Sequence, residues 1–174
     1  MRIDISDDLF DNEQLANTPK RWKRFMDEWD NKDNFNFTTF KNEGYKGMII
    51  QRVEFHSLCS HHVLPFFGVC YVGYIPSEKL ITGFSKLARV VDKFSCKPQV
   101  QELMTQDIVN YLVEKLKPKG VMVVVKARHL CMEMRGIKKS NSWTVTSAID
   151  GVFKSEPHTK NEFFELVKLK FQEI

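Results

Sequence analysis

The chain has 174 residues, a length that supports one domain with a buried core and is short for two. Its apolar share of 43% and charged share of 28% are those of a soluble globular protein, and no apolar run approaches the roughly 20 residues of a membrane span. The net charge of +4 is spread along the chain, which argues against a nucleic-acid partner and leaves room for an anionic substrate wherever cations converge.

Residues 1–17 form a short, polar and acidic segment whose main apolar points are Leu9, Phe10 and Leu15, ahead of a single domain over 18–174. The acidic opening from Met1 to Phe10 does not read as a signal peptide, so a reducing cytoplasm is expected. There Cys59, Cys70, Cys96 and Cys131 read as thiols rather than disulfides. Thr18-Pro19 predicts a helix start, with a hydroxyl at the cap and proline at the first helical position. Trp22, Phe25, Met26 and Trp29 follow at helical spacing as a buried stripe. Lys20, Arg21, Lys23 and Arg24 flank that stripe, and their ordinary reading is a solvated face. Asn31 to Lys46 reads as a loop.

Gly47 to Phe55 and Phe66 to Ile75 are rich in β-formers and predict two strands. Between them Cys59-Ser60-His61-His62 gathers a thiol and two imidazoles. Cys59 and His62 lie three apart, so a tight turn aims both at one ion, and a thiolate with an imidazole suits zinc. Two donors do not make a site, and a cluster this short is as compatible with chance neighbours as with ligands. Cys70 reads as a small core residue.

Pro76 to Lys79 turns, and Leu80 to Phe84 is short and extended. Ser85 is the expected cap of a helix with Leu87, Val90, Val91 and Phe94 inward. Lys86 and Arg89 share a face beside that cap, and hydroxyl, cations and helix N–H groups together suit phosphate. Ser-Lys at a helix start is, however, common. A second helix is predicted over Gln99 to Leu116, with Val100, Leu103, Met104, Ile108, Tyr111, Leu112 and Leu116 inward. Gln101 and Glu102 fall in its first turn, where the ordinary role of Glu102 is to favour the helix dipole.

Val121 to Ala127 is the clearest strand and is expected to continue through Arg128 to Gly136. A strand period of two would place His129, Cys131, Glu133 and Arg135 on one face. Gly136 to Asn141 turns, and Trp143 to Phe153 is a Thr-rich strand. From Asn161 an amphipathic helix carries Phe163, Phe164, Val167 and Phe171 along one side. The order of elements predicts an α+β domain with an antiparallel sheet.

Taken together, Cys59, His62 and Cys131 offer three donors of zinc type and leave a coordination position open, with His61 and His129 as acid–base groups beside it. The segments SLCSHHVLPFFG, YIPSEK, GFSKLARVVDKFS, QVQELMTQDI, ARHLCMEMRGI and NSWTVTSAIDGVF, in this order, resemble the GTP cyclohydrolase I family from about Thr18 to Leu166. The resemblance implies zinc-dependent hydrolysis of GTP to 7,8-dihydroneopterin triphosphate and formate: opening of the purine at C8, ribose rearrangement and ring closure. It places the zinc ligands on Cys59, His62 and Cys131 and proton transfer on His61 and His129. Guanine recognition falls on Gln101 and Glu102 with Val100 beside them. Triphosphate and ribose contacts fall on Ser85, Lys86, Arg89 and Arg135, with Arg21 as a further cation.

The implied architecture is the tunnelling fold (T-fold), an antiparallel sheet with helices on one side that oligomerises into a ring. Two stacked pentamers would make a homodecamer with shared active sites. The product would feed folate, biopterin or deazaguanine routes. The chain departs from the family pattern at Ser60, where glutamate is usual, at Lys97, where arginine is usual, and in its short N-terminal region. A different reading is a catalytically silent, zinc-containing T-fold protein that binds a purine or pterin. The related nitrile reductase acting on a 7-deazaguanine fits less well, because that enzyme lacks this ligand triad.

Overall fold

A computed structural model describes residues 15–30 and 35–171; the apolar points Leu9 and Phe10 and most of the 1–17 segment lie outside the described residues. The elements are α1 (Thr18–Asp30), β1 (Thr39–Lys41), β2 (Ile49–Cys59), β3 (Pro65–Ile75), β4 (Leu80–Thr82), α2 (Phe84–Ser95) and β5 (Pro98–Gln99). They continue with α3 (Gln101–Leu116), β6 (Gly120–His129), α4 (Leu130–Glu133), β7 (Trp143–Gly151), α5 (Val152–Ser155) and α6 (Pro157–Phe171). A five-stranded sheet has the order β5-β2-β3-β6-β7 and is antiparallel throughout, except where the two residues of β5 pair parallel with the end of β2. This is the expected α+β class, with α2 and α3 packed on one face.

The alternation of side chains across the strands explains the layering. Val121, Val123, Val125 and Ala127 of β6 face α2 and α3 and join Phe66, Cys70, Val72, Leu87, Met104, Ile108 and Leu112 in the main core. Met122 and Val124 point the other way and meet Phe153 and Phe163 of the C-terminal helices. Being covered on both sides, the start of β6 reads as an unbroken apolar run rather than an alternating one. β3 and β6 approach closely at Gly68, where an added Cβ would lie 2.7 Å from Ala127 Cα and collide with the Lys126 carbonyl.

Several boundaries differ from the sequence reading. Helix α1 begins at Thr18 itself, and its aromatic stripe is only partly covered: Trp29 is buried against Leu58 and Cys96, while Trp22 and Phe25 are each 40% exposed. The cap of α2 is the extended backbone of Gly83, so Ser85 sits inside the first turn instead of closing it. Helix α3 begins at Gln101, because Gln99 is taken up in β5 alongside Cys59. Its buried face includes Gln101 and Thr105, whereas Leu103 is 62% exposed. The expected loop over 31–46 contains β1, which pairs with β4, and α6 begins at Pro157, ahead of Asn161.

Candidate active site

The strand end of β2 and the turn that follows it create the first half of the site. The Cys59 N–H donates to the Leu64 carbonyl at 2.9 Å, and the Val63 N–H donates back to the Cys59 carbonyl at 2.8 Å. Closing so tight a loop forces Val63 to φ 54°, a left-handed backbone that costs a β-branched residue strain. The result folds His61 and His62 back over the sulfur: Cys59 Sγ lies 3.7 Å from His61 Nδ1 and 3.9 Å from His62 Nδ1. Gln99 braces the turn from the neighbouring strand, its carbonyl accepting from Ser60 N–H at 3.0 Å. Ser60 itself is exposed.

β6 supplies the second half. It does not run on to Gly136 as a strand: the chain turns helical at Leu130, so Cys131 lies in the short α4 and the period of two ends at His129. Arg128 donates to both carboxylate oxygens of Glu133, at 2.7 and 2.6 Å, and this bidentate pair fastens the helical turn to the strand end. The thiol of Cys131 is thereby swung toward Cys59. Donor atoms of Cys59, His62 and Cys131 all lie within 4.8 Å of one another. Donors of a tetrahedral zinc are about 3.5–4 Å apart, given bonds near 2.0–2.3 Å. Two thiols and an imidazole therefore need only a small closure to hold such an ion. Burial, and then the adjacent Cys59 thiol, push the Cys131 thiol up, while Arg135 pulls it down. A divalent cation held between these two sulfurs would favour their thiolate form.

His129 is held from two sides. Its ring lies flat against the fully buried Phe66, with centroids 4.6 Å apart and planes 2° from parallel, as the register pairs Phe66 with His129. Its Nε2 lies 2.7 Å from Gln101 Oε1. Burial holds the imidazole below its ordinary value, and the charge of Glu102 opposes that shift.

These groups line one cleft of about 210 Å³ formed by Cys59, His61, His62, Gln99, Val100, Gln101, Glu102, His129, Cys131, Met132 and Thr144. The candidate ligands, both histidines and the Val100-Gln101-Glu102 triplet are thus brought together. The remaining candidates line no part of it. Ser85 and Arg89 are exposed on α2, and Lys86 donates to the Asn36 carbonyl at 2.7 Å. Arg21 is exposed on α1, and exposed Arg135 meets the cleft at His62, its Nη1 lying 2.7 Å from His62 Nε2. Gln99, Met132 and Thr144 were not singled out in the sequence. The signal for Thr144 lies in its pairing with Thr146, two residues on along β7 and so on the same face.

The sequence profile of the family described as GTP cyclohydrolase I matches residues 3–168. A protein named GTP cyclohydrolase 1 from Aquifex aeolicus (strain VF5) is 46% identical over 160 residues, covering 91% of this chain and 86% of its own. One of the same name from Sulfurihydrogenibium sp. (strain YO3AOP1) is 47% identical over 157 residues, covering 89% and 83%. One from Geobacillus kaustophilus (strain HTA426) is 44% identical over 162 residues, covering 90% and 86%. Among solved structures, the apo crystal structure of an archaeosine synthase QueF-Like is similar, with a TM-score of 0.50 and 16% identity, over 62% of this chain and 97% of that one. That likeness shows a shared fold.

Proposed function

The chain belongs to the GTP cyclohydrolase I family, and from this membership and the cleft geometry we propose that it hydrolyses GTP to 7,8-dihydroneopterin triphosphate and formate. The observation that carries the reading is the convergence of Cys59, His62 and Cys131 beside His129 and His61. Those three residues would hold zinc, which when bound supplies the Lewis acidity that makes water a nucleophile at neutral pH. His129, kept neutral by burial, is suited to accept a proton near the purine imidazole ring, and exposed His61 to exchange one with solvent. Glu102 presents an acceptor to the N1–H and 2-amino edge of guanine, with Val100 beside it.

A cleft of about 210 Å³ is smaller than the roughly 300–1,000 Å³ that encloses a ligand of nucleotide size. This supports the reading that a second copy completes the site, with Ser85, Lys86, Arg89, Arg135 and Arg21 meeting the triphosphate and ribose there. The assembly we propose is a decamer of two stacked pentamers, in the cytoplasm. Among the described residues no helix is long and apolar enough to cross a membrane.

The test is GTP turnover by the zinc-loaded protein, read as pterin fluorescence after oxidation of the product. Fluorescent product is expected. Stoichiometric zinc with no turnover would sink the enzyme reading and favour a silent purine- or pterin-binding protein.

A further inference from the structure

Gln101 occupies the first position of α3, and its side chain is among the largest that are fully buried. A guanine-reading role would need its amide free. It is not free. The Nε2 lies 3.1 Å from the Val125 carbonyl, 3.3 Å from the Thr144 carbonyl and 3.1 Å from Thr146 Oγ1. Carbonyl oxygens only accept, so the amide group that faces two of them must be the NH2. Turning the amide over would set Oε1 against both carbonyls and leave a buried NH2 facing the imidazole.

A buried hydroxyl chain agrees with this orientation. Thr105 Oγ1 donates to the Gln101 carbonyl at 2.7 Å, which uses its only proton. The 2.7 Å contact between the Thr105 and Thr146 hydroxyls must then be a donation from Thr146. Thr146 Oγ1 is left as an acceptor toward Gln101 Nε2. The two amide hydrogens are shared among three acceptors, none of which has a hydrogen to give back along these contacts.

It follows that Gln101 Oε1 faces His129 Nε2 as an acceptor, and the ring nitrogen it meets must carry the hydrogen. We propose that Gln101 is a positioning residue that fixes His129 in a single tautomer, with the proton on Nε2 and the lone pair on Nδ1. Stacking on Phe66 fixes the ring plane, and Gln101 fixes which nitrogen is basic. A proton taken up at Nδ1 leaves the cation still bonded to the same carbonyl oxygen, so accepting it needs no rearrangement. This role goes beyond the proposed reaction but rests on it for the consequence that Nδ1 does the proton transfer.

The decisive measurement is solid-state 15N NMR of the zinc-loaded, histidine-labelled protein, with the His129 signals assigned by difference against His129→Asn. The neutral ring is expected to be protonated at Nε2; protonation at Nδ1 would overturn the proposal whether or not the Gln101 variant folds. Gln101→Met keeps the volume and removes the acceptor. It should mix or invert the tautomer and lower kcat by about 10- to 100-fold, with KM for GTP within about threefold. A raised KM with unchanged kcat and tautomer in Gln101→Met would instead make Gln101 a substrate contact. Absence of turnover in the native protein would defeat the proposed reaction and leave the tautomer measurement standing, so the two failures are distinguishable.

Discussion

The Nη1 of Arg135 lies 2.7 Å from Nε2 of His62, while the Nδ1 of the same ring faces the Cys59 sulfur at 3.9 Å. A guanidinium has only hydrogens to give, so in this contact Nε2 must accept. An ion held on Nδ1 would leave the hydrogen on Nε2, and the two groups would then oppose each other. Arg135→Ala is therefore expected to bind zinc several-fold more tightly, measured by competition with a chromophoric chelator. Its KM for GTP should rise, since a candidate phosphate contact is lost. Weaker zinc binding in the variant would contradict this account of Arg135.

Zinc that binds the folded chain stabilises it by mass action, by about 4 kcal/mol at a thousand times its dissociation constant. Of the two candidate sulfur ligands, Cys131 is the one whose removal disturbs the core less, because it sits half-exposed on α4 while Cys59 is buried. In Cys131→Ala we expect bound zinc to fall from one per chain to near zero, and the upward shift of Tm on adding zinc to disappear. Chelation of the native protein should abolish turnover, and added zinc should restore it. A zinc-dependent Tm that survives in the variant would show that the ion is held elsewhere.

Gly68 is where β3 and β6 lie too close for any side chain. Gly68→Ala would push the strands apart beside the Phe66–His129 pair and is expected to destabilise the protein by about 1–3 kcal/mol, the usual cost of overpacking. The loss is measurable by urea denaturation. Lower kcat at saturating zinc should accompany it; a variant as stable as the parent would contradict the steric reading.

The fold class, the long strands and the thiol and imidazole groups at the cleft were legible in the sequence, because hydrophobic periodicity and the thiol–imidazole spacing are local signals. What was not legible depended on partners distant in the chain. Gln101 and Thr105 look like solvated helix residues until β7 supplies Thr146 and the Thr144 carbonyl to bond them. The bend at Leu130 was missed because Arg128–Glu133 reads as charged strand positions, and only the folded pair reveals a clamp. Trp22 and Phe25 have the spacing of a buried stripe, but no element among the described residues covers them fully.

Cys70 gives the pH prediction. Full burial pushes its thiol well above its ordinary value of 9.0. The unfolded chain releases this proton above about pH 9 while the native chain keeps it, so stability is intact below that pH and falls as pH rises through it. The slope is up to about 1.4 kcal/mol per pH unit for the one proton. Cys70→Ala, though less stable at neutral pH from lost packing, should show a shallower alkaline limb in thermal melts. Equal limbs would mean that the thiol titrates alike in both states.

The register that sets Phe66 against His129 also dictates when in folding the metal can be captured. Cys59 and His62 meet as soon as the β2–β3 hairpin turns, but Cys131 arrives only after β6 has crossed from far along the chain and aligned with β3. Closing so long a loop is the slow, entropically costly part of assembly. A slip of one residue would turn His129 and the whole of β6 to the opposite face. Three-point capture of zinc would thus be a late event available to the correctly threaded chain, and a misregistered one would be left with a two-ligand grip that releases the ion. In a cell that rations free zinc, the ion would act as an inspector of finished topology before the enzyme can turn over.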